Sequence, residues 1–100
     1  MDTKRALAAL TAVAQESRLA VFRLLAQAGP EGLAASKIAE QLGIAPSSLS
    51  FHLKELSYAE LVTQRQDGRF IIYTANFDTM NALIAFMTEN CCTGNPCGPA

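Results

Sequence analysis

Gly43-Ile44-Ala45-Pro46-Ser47-Ser48-Leu49-Ser50-Phe51-His52-Leu53-Lys54-Glu55-Leu56 decides the fold. Proline presets the backbone of a helix's first turn, so a helix is predicted from Pro46 to Tyr58. Its apolar stripe is Leu49, Leu53 and Leu56, spaced i, i+4, i+7. Gly43 suits the end of a preceding helix, Ala35 to Leu42, with Ile38, Ala39 and Leu42 turned inward. Two short helices joined by a tight turn are the elements of a helix-turn-helix, whose second helix enters the major groove of DNA.

Downstream the period changes. Leu61 to Gln66 and Arg69 to Ala75 read as strands, the second carrying Phe70, Ile71, Ile72, Tyr73 and Thr74. Asp67-Gly68 between them is a strong two-residue hairpin signal, expected as a type I′ turn. A hairpin after a helix-turn-helix is a wing. A last helix is predicted from about Asn76–Asp78 to Glu89, with Met80, Leu83, Ile84 and Met87 on one stripe and Phe77, Ala82 and Phe86 on another. A helix so apolar is expected to be buried, and in a chain of 100 residues a partner subunit is the cover, with Leu83 at the interface.

Upstream, Lys4 to Ala14 places Leu7, Leu10 and Val13 at helical spacing among many alanines, and Ser17 to Ala28 is a second apolar helix ended by Gly29-Pro30. The fold class is therefore mainly α with a small β-hairpin, in the order α-α-α-α-β-β-α. Residues 1–90 form one DNA-binding and dimerisation domain, and 91–100 a cysteine-containing tail.

The outward face of Pro46 to Tyr58 holds the candidate DNA contacts. Ser47, Ser48 and Ser50 can hydrogen-bond to phosphates or bases, Phe51 can touch a thymine methyl, and His52 and Lys54 can reach phosphates. Arg65 and Arg69 are expected to flank the wing tip and approach a phosphate or the minor groove. The competing reading makes the serines ordinary helix surface, the arginines a solvated edge, and His52 a partner within the domain.

Half of the residues are hydrophobic, 17% are charged, and the formal net charge is −1 at pH 7. That is a globular composition. A neutral total argues against a nucleic-acid partner, but Lys54, Arg65 and Arg69 form a local basic stretch opposed by Glu55, Glu60 and Asp67. No apolar run approaches the roughly 18 residues of a membrane span, and the start of the chain is a poor signal peptide, so a cytoplasmic protein without a membrane partner is expected. One histidine, no nucleophile–base pair and no glycine-rich phosphate loop argue against an enzyme.

Ala14-Gln15-Glu16-Ser17-Arg18-Leu19-Ala20-Val21-Phe22-Arg23-Leu24-Leu25 resembles the second-helix signature of the arsenic-repressor (ArsR/SmtB) family, and Ser47 to Leu56 resembles its recognition helix. Leu61-Val62, Arg65 to Arg69 and Ile72-Tyr73 extend the likeness, which spans about residues 5–89. Phe51 departs from the basic or polar residue usual in the family. The resemblance implies a homodimeric repressor of double-stranded operator DNA, joined through its first and last helices and needing no cofactor to bind.

Cys91, Cys92 and Cys97 are the three cysteines of the chain, a soft-ligand cluster. The family's Cys-x-Cys site before the recognition helix is missing from Ser36 to Leu42, and its zinc site on the last helix finds Asp78 and Glu89 but no histidine. Three thiolates match trivalent arsenic, and antimony(III) similarly. Zinc prefers four ligands, yet a water or a partner residue could complete it. Spacing alone admits cadmium, lead and bismuth, and a disulfide of Cys97 with Cys91 or Cys92 would make a redox switch. The likeness to the C-terminal arsenite site of some family members selects arsenic(III) as inducer.

Overall fold

Leu49, Leu53 and Leu56 are each no more than 2% exposed in the structure, a computed structural model that describes residues 1–89. Around them the chain runs α1 (Thr3–Val13), α2 (Glu16–Ala28), a single 3-10 turn (Gly29–Glu31), β1 (Leu33–Ala34), α3 (Ala35–Leu42), α4 (Pro46–Tyr58), β2 (Val62–Asp67), β3 (Phe70–Ala75) and α5 (Phe77–Thr88). Val21 and Leu25 of α2, Ile38 of α3 and Leu61 before β2 complete the fully buried centre with the α4 leucines.

The sheet has three strands rather than a lone hairpin, antiparallel in the order β1-β3-β2. The addition is β1, which pairs Leu33 with Tyr73 and Ala34 with Ile72. Two residues show no periodicity, so the sequence gives no sign of this strand. Gly32, just before it, has a φ of +66°, and a Cβ there would overlap the Tyr73 carbonyl oxygen and come within 2.7 Å of Thr74 Cγ2. Glycine is what lets the chain close onto β3.

The hairpin turn also differs from expectation. Asp67 pairs with Phe70, so the two loop residues are Gly68 and Arg69, not Asp67 and Gly68. Only Gly68 takes a positive φ there, +63°, as a type II′ turn requires of its first central residue. Asp67 stays in the strand because the single glycine already supplies the conformation that costs other residues most.

Asn76 is the junction of β3 and α5. Its side-chain oxygen accepts from Thr79 N at the first turn of α5, its Nδ2 donates to Glu60 O at 2.9 Å, and its backbone N–H donates to Leu61 O at 2.8 Å. Asp2 caps α1 and Gln15 caps α2 in the same way, each accepting from an N–H three residues on.

Two helices bury faces other than those expected. On α1 it is Ala6, Ala9 and Ala12 that are buried, while Leu7 is 57% exposed. Alanines let the helix axis approach α2, α4 and α5, and the leucine is left facing away. On α5, Leu83 belongs to the protomer's own core at 3% exposure, whereas Ile84 and Met87 are 52% and 61% exposed. Leu83 is therefore a folding residue and not an interface residue.

Both Gly32 and Gly68 sit in the left-handed region, but nothing lies within 4 Å of a Cβ at Gly68. Gly68→Ala should cost only the backbone strain of about 1–2 kcal/mol. Gly32→Ala adds a collision with β3 and should lower the urea midpoint further; equal midpoints would contradict the close approach described above.

Candidate nucleic-acid interface

The buried leucines of α4 fix which side chains face outward. Ser47, Phe51, Lys54 and Tyr58 fall together on the opposite side of the helix, flanked by Ser48 and Ser50, and all six are exposed. Tyr58 was not singled out by sequence reasoning. Lys54 Nζ lies 5.8 Å from the centre of its ring, a cation–π distance. The result is a narrow strip of hydroxyls, two aromatic rings and one ammonium group.

The start of α4 adds a further feature. Ala45 precedes it without a side-chain cap, as Ala34 precedes α3, whereas α1, α2 and α5 each carry one. The first N–H groups of a helix have no acceptor within the helix, and the helix dipole makes that end favourable to anions. Ser47 and Ser48 present both N–H and hydroxyl groups at this end. The fold thus closes the scaffold helices itself and leaves the two helices of the turn motif without such closure.

His52 does not stand with the outward strip. It is half-buried, with Nδ1 3.4 Å from Arg18 Nη1. Arg18 in turn donates through Nε to the carbonyl oxygen of Ala12, in the last turn of α1. This arginine lies within the stretch that resembles the family signature, but its role is visible only once α1, α2 and α4 are packed. It connects all three.

Arg65 and Arg69 separate. Arg69 is one of the two turn residues at the wing tip and is exposed. Arg65 pairs with Ile72, two rungs below the closing pair, so it does not flank the tip. Its guanidinium donates to Pro30 O at 3.3 Å and Glu31 O at 2.8 Å, tying β2 to the 3-10 turn after α2. Those carbonyls lie at the end of a helix turn, where cationic donors are favoured.

Cys91, Cys92 and Cys97 lie outside the described residues. Among the described residues no group of three or more His, Cys, Asp or Glu side chains is placed to hold a metal ion, and no helix is long and apolar enough to cross a membrane.

A helix-turn-helix domain family matches residues 13–65, more than half of the chain. The chain belongs to this helix-turn-helix family, as a transcriptional regulator. It is 33% identical over 78 residues to the uncharacterised HTH-type transcriptional regulator YceK of Bacillus subtilis, covering 78% of this chain and 77% of that one. It is 38% identical over 64 residues, 64% of this chain and 49% of the other, to a Halobacterium salinarum protein proposed by its name to be the arsenical resistance operon repressor ArsR. The solution structure of a homodimeric winged helix-turn-helix DNA-binding domain from Mycobacterium bovis, a proposed ArsR-family regulator, superposes with a TM-score of 0.71 at 24% identity, covering 96% of this chain and 89% of that one. This regulator is thus winged as well as helix-turn-helix, with α3 and α4 as the motif and β2–β3 as the wing.

The two wing arginines should respond differently to removal. Arg69→Ala should flatten the dependence of DNA affinity on salt by about one phosphate contact per protomer. Arg65→Ala should keep the wild-type slope and instead lower thermal stability, by about 1 kcal/mol for its lost hydrogen bonds. Titrations of the DNA complex over a range of salt concentrations, with melting curves of the free proteins, check both; a reduced slope for Arg65→Ala would return it to the DNA surface.

Proposed function

We propose that this regulator is a homodimeric repressor of double-stranded operator DNA, released when trivalent arsenic binds Cys91, Cys92 and Cys97. The observation that carries the DNA half is α4 itself: its core face is sealed by leucines, its outward face carries hydroxyls, two aromatic rings and one ammonium group, and its N-terminus is uncapped. Ser47, Ser48 and Ser50 would meet phosphates and base edges, Lys54 a phosphate, and Arg69 the backbone beside the wing. With DNA as its target it would act in the cytoplasm.

The dimer half is supported by apolar surface that one protomer leaves uncovered. Leu7 on α1 and Ile84 and Met87 on α5 are all more than half exposed, and α1 and α5 pack against each other. The homodimeric state of the Mycobacterium bovis domain supports the same assembly.

The inducer half rests on the donor set. Three thiols within seven residues offer three sulfur donors, the number that trivalent arsenic takes and one fewer than a tetrahedral zinc site; antimony(III) has the same demand. The name of the Halobacterium salinarum relative supports arsenic over other soft metals. Bound arsenic would act as a crosslink among those sulfurs. Cys91 follows the last residue of α5, Thr88, by three positions. A crosslink there can bias the packing of α5 across the dimer and the spacing of the two α4 helices, which DNA holds near 34–36 Å, one helical turn. A coupling of about 1–3 kcal/mol suffices for a 5- to 150-fold loss of affinity.

Two measurements test these halves. Ile84→Glu with Met87→Glu should give a folded monomer by sedimentation and abolish tight operator binding; a monomeric wild type at micromolar concentration would remove the dimer. Each Cys→Ser variant should bind operator as the wild type does and resist release by arsenite. A triple Cys→Ser protein that leaves DNA at the wild-type arsenite concentration would refute the sensor, and release by cadmium, zinc or peroxide with none by arsenite would reassign it.

A further inference from the structure

Phe51 has an exposure that the fold does not account for. The residue is 56% exposed on the side of α4 facing away from Leu49, Leu53 and Leu56. Ser47, four residues before, and Lys54, three residues after, share that side and are exposed too. The neighbours one turn away on that side carry a hydroxyl and an ammonium group, and Tyr58 lies two turns on, so no continuous apolar rim surrounds the ring as it would at the centre of a protein-docking patch. One neighbour nevertheless supports it. The His52 imidazole meets it edge-on, with ring centroids 5.8 Å apart and planes at 63°. His52 is braced by Arg18, Arg18 is held by the Ala12 carbonyl, and its own backbone N–H is held by Gln15 Oε1. An exposed aromatic ring is thus buttressed, through two side chains, on the junction of α1 and α2.

We propose that Phe51 reads thymine 5-methyl groups in the major groove, with His52 and Arg18 as positioning residues that set its ring for the contact. This inference rests on the reading of α4 as the helix that enters the groove. In that groove thymine offers an acceptor oxygen and a methyl group, and the methyl is the apolar feature that separates it from the other three bases. A phenyl ring has no donor or acceptor, so the methyl is the one group it can select. The hydroxyls of Ser47 and Ser50 both donate and accept and can pair with any base edge. Discrimination along this face therefore falls to Phe51. Its place in the second turn of α4 suits it, because the N-terminal part of a recognition helix lies deepest against the bases.

Deoxyuridine isolates the contact, since it removes the methyl and leaves every base pair unchanged. The probe is a duplex that the full-length protein itself selects from a random-sequence pool, with its thymines replaced one at a time. One thymine in each half-site should be sensitive, its replacement weakening wild-type binding by about three- to fivefold, as the loss of one buried methyl predicts. Phe51→Ala should bind the thymine and deoxyuridine duplexes equally, with the wild-type salt slope and an unchanged melting curve. His52→Ala should shrink the deoxyuridine effect and keep the salt slope; a reduced slope with the effect intact would make His52 a phosphate ligand and overturn its positioning role. Sequence-selective binding by wild type with no sensitive thymine, or a sensitivity that persists in Phe51→Ala, overturns the methyl reading alone. Failure of the folded wild type to select any duplex overturns the DNA-binding reading with it.

Discussion

The rotation of α4 about its own axis is the constraint on which the rest of the molecule depends. Leu49, Leu53 and Leu56 are sealed in the core, and burial of a leucine is worth about 1.5–3 kcal/mol. Turning the helix by half a turn would expose all three and bury Phe51, Lys54 and two serines without partners. The same leucines that hold the fold therefore choose the outward strip. The reading surface is inherited from the core rather than assembled separately, and so its residues need not pack within the fold to hold their position.

The wing is anchored by the same logic. A two-stranded hairpin is marginal by itself. Here β3 gains a second neighbour in β1, Gly32 permits the chain to close onto it, and Arg65 ties β2 to the turn that follows α2. Thr63 and Thr74 add a hydroxyl pair at 2.8 Å across the two long strands. The tip is left with Gly68 and Arg69 projecting beyond this base. Arg18 does for the helical layer what Arg65 does for the wing. Both guanidiniums use several donors at fixed angles to join elements distant in sequence, for which a lysine ammonium would be a poor substitute.

Where periodicity is long, the sequence was legible: α3 and α4 begin and end where glycine, proline and the leucine stripe place them. Where the decisive fact is tertiary, it was not. β1 is too short to carry a period. The apolar content of α5 says that its surface must be covered, but not whether by its own protomer, as for Leu83, or otherwise, as for Ile84. Leu7 and Ala9 look equally apolar, and only the close approach of neighbouring helices selects the alanine row. Of the candidate contacts, the serines, Phe51 and Lys54 face outward as read, because the helix period determines their direction; Arg69 is exposed, but within the turn rather than flanking it. His52 and Arg65 were placed by type, and their partners lie 34 or more residues away in the chain, beyond any local signal. The cysteines fall outside the described residues.

A net charge of −1 sharpens what the interface must use. The chain has eight lysines and arginines. Arg5 pairs with Glu60 and Lys37 with Glu40, while Arg18 and Arg65 donate within the protein. Lys54 and Arg69 are the cations on the reading helix and the wing tip; Lys4 and Arg23 lie on α1 and α2. So few point charges give weak non-specific attraction, since that attraction grows with the number of phosphates neutralised. On the proposed reading, affinity would then come from groups that carry no net charge: helix N-termini at phosphates, serine hydroxyls, and an aromatic ring against the bases. These act only at close range and in one register. A protein built this way would hold its site by fit more than by charge, and the proposed inducer would need only a small change in the separation of two such helices to break the fit.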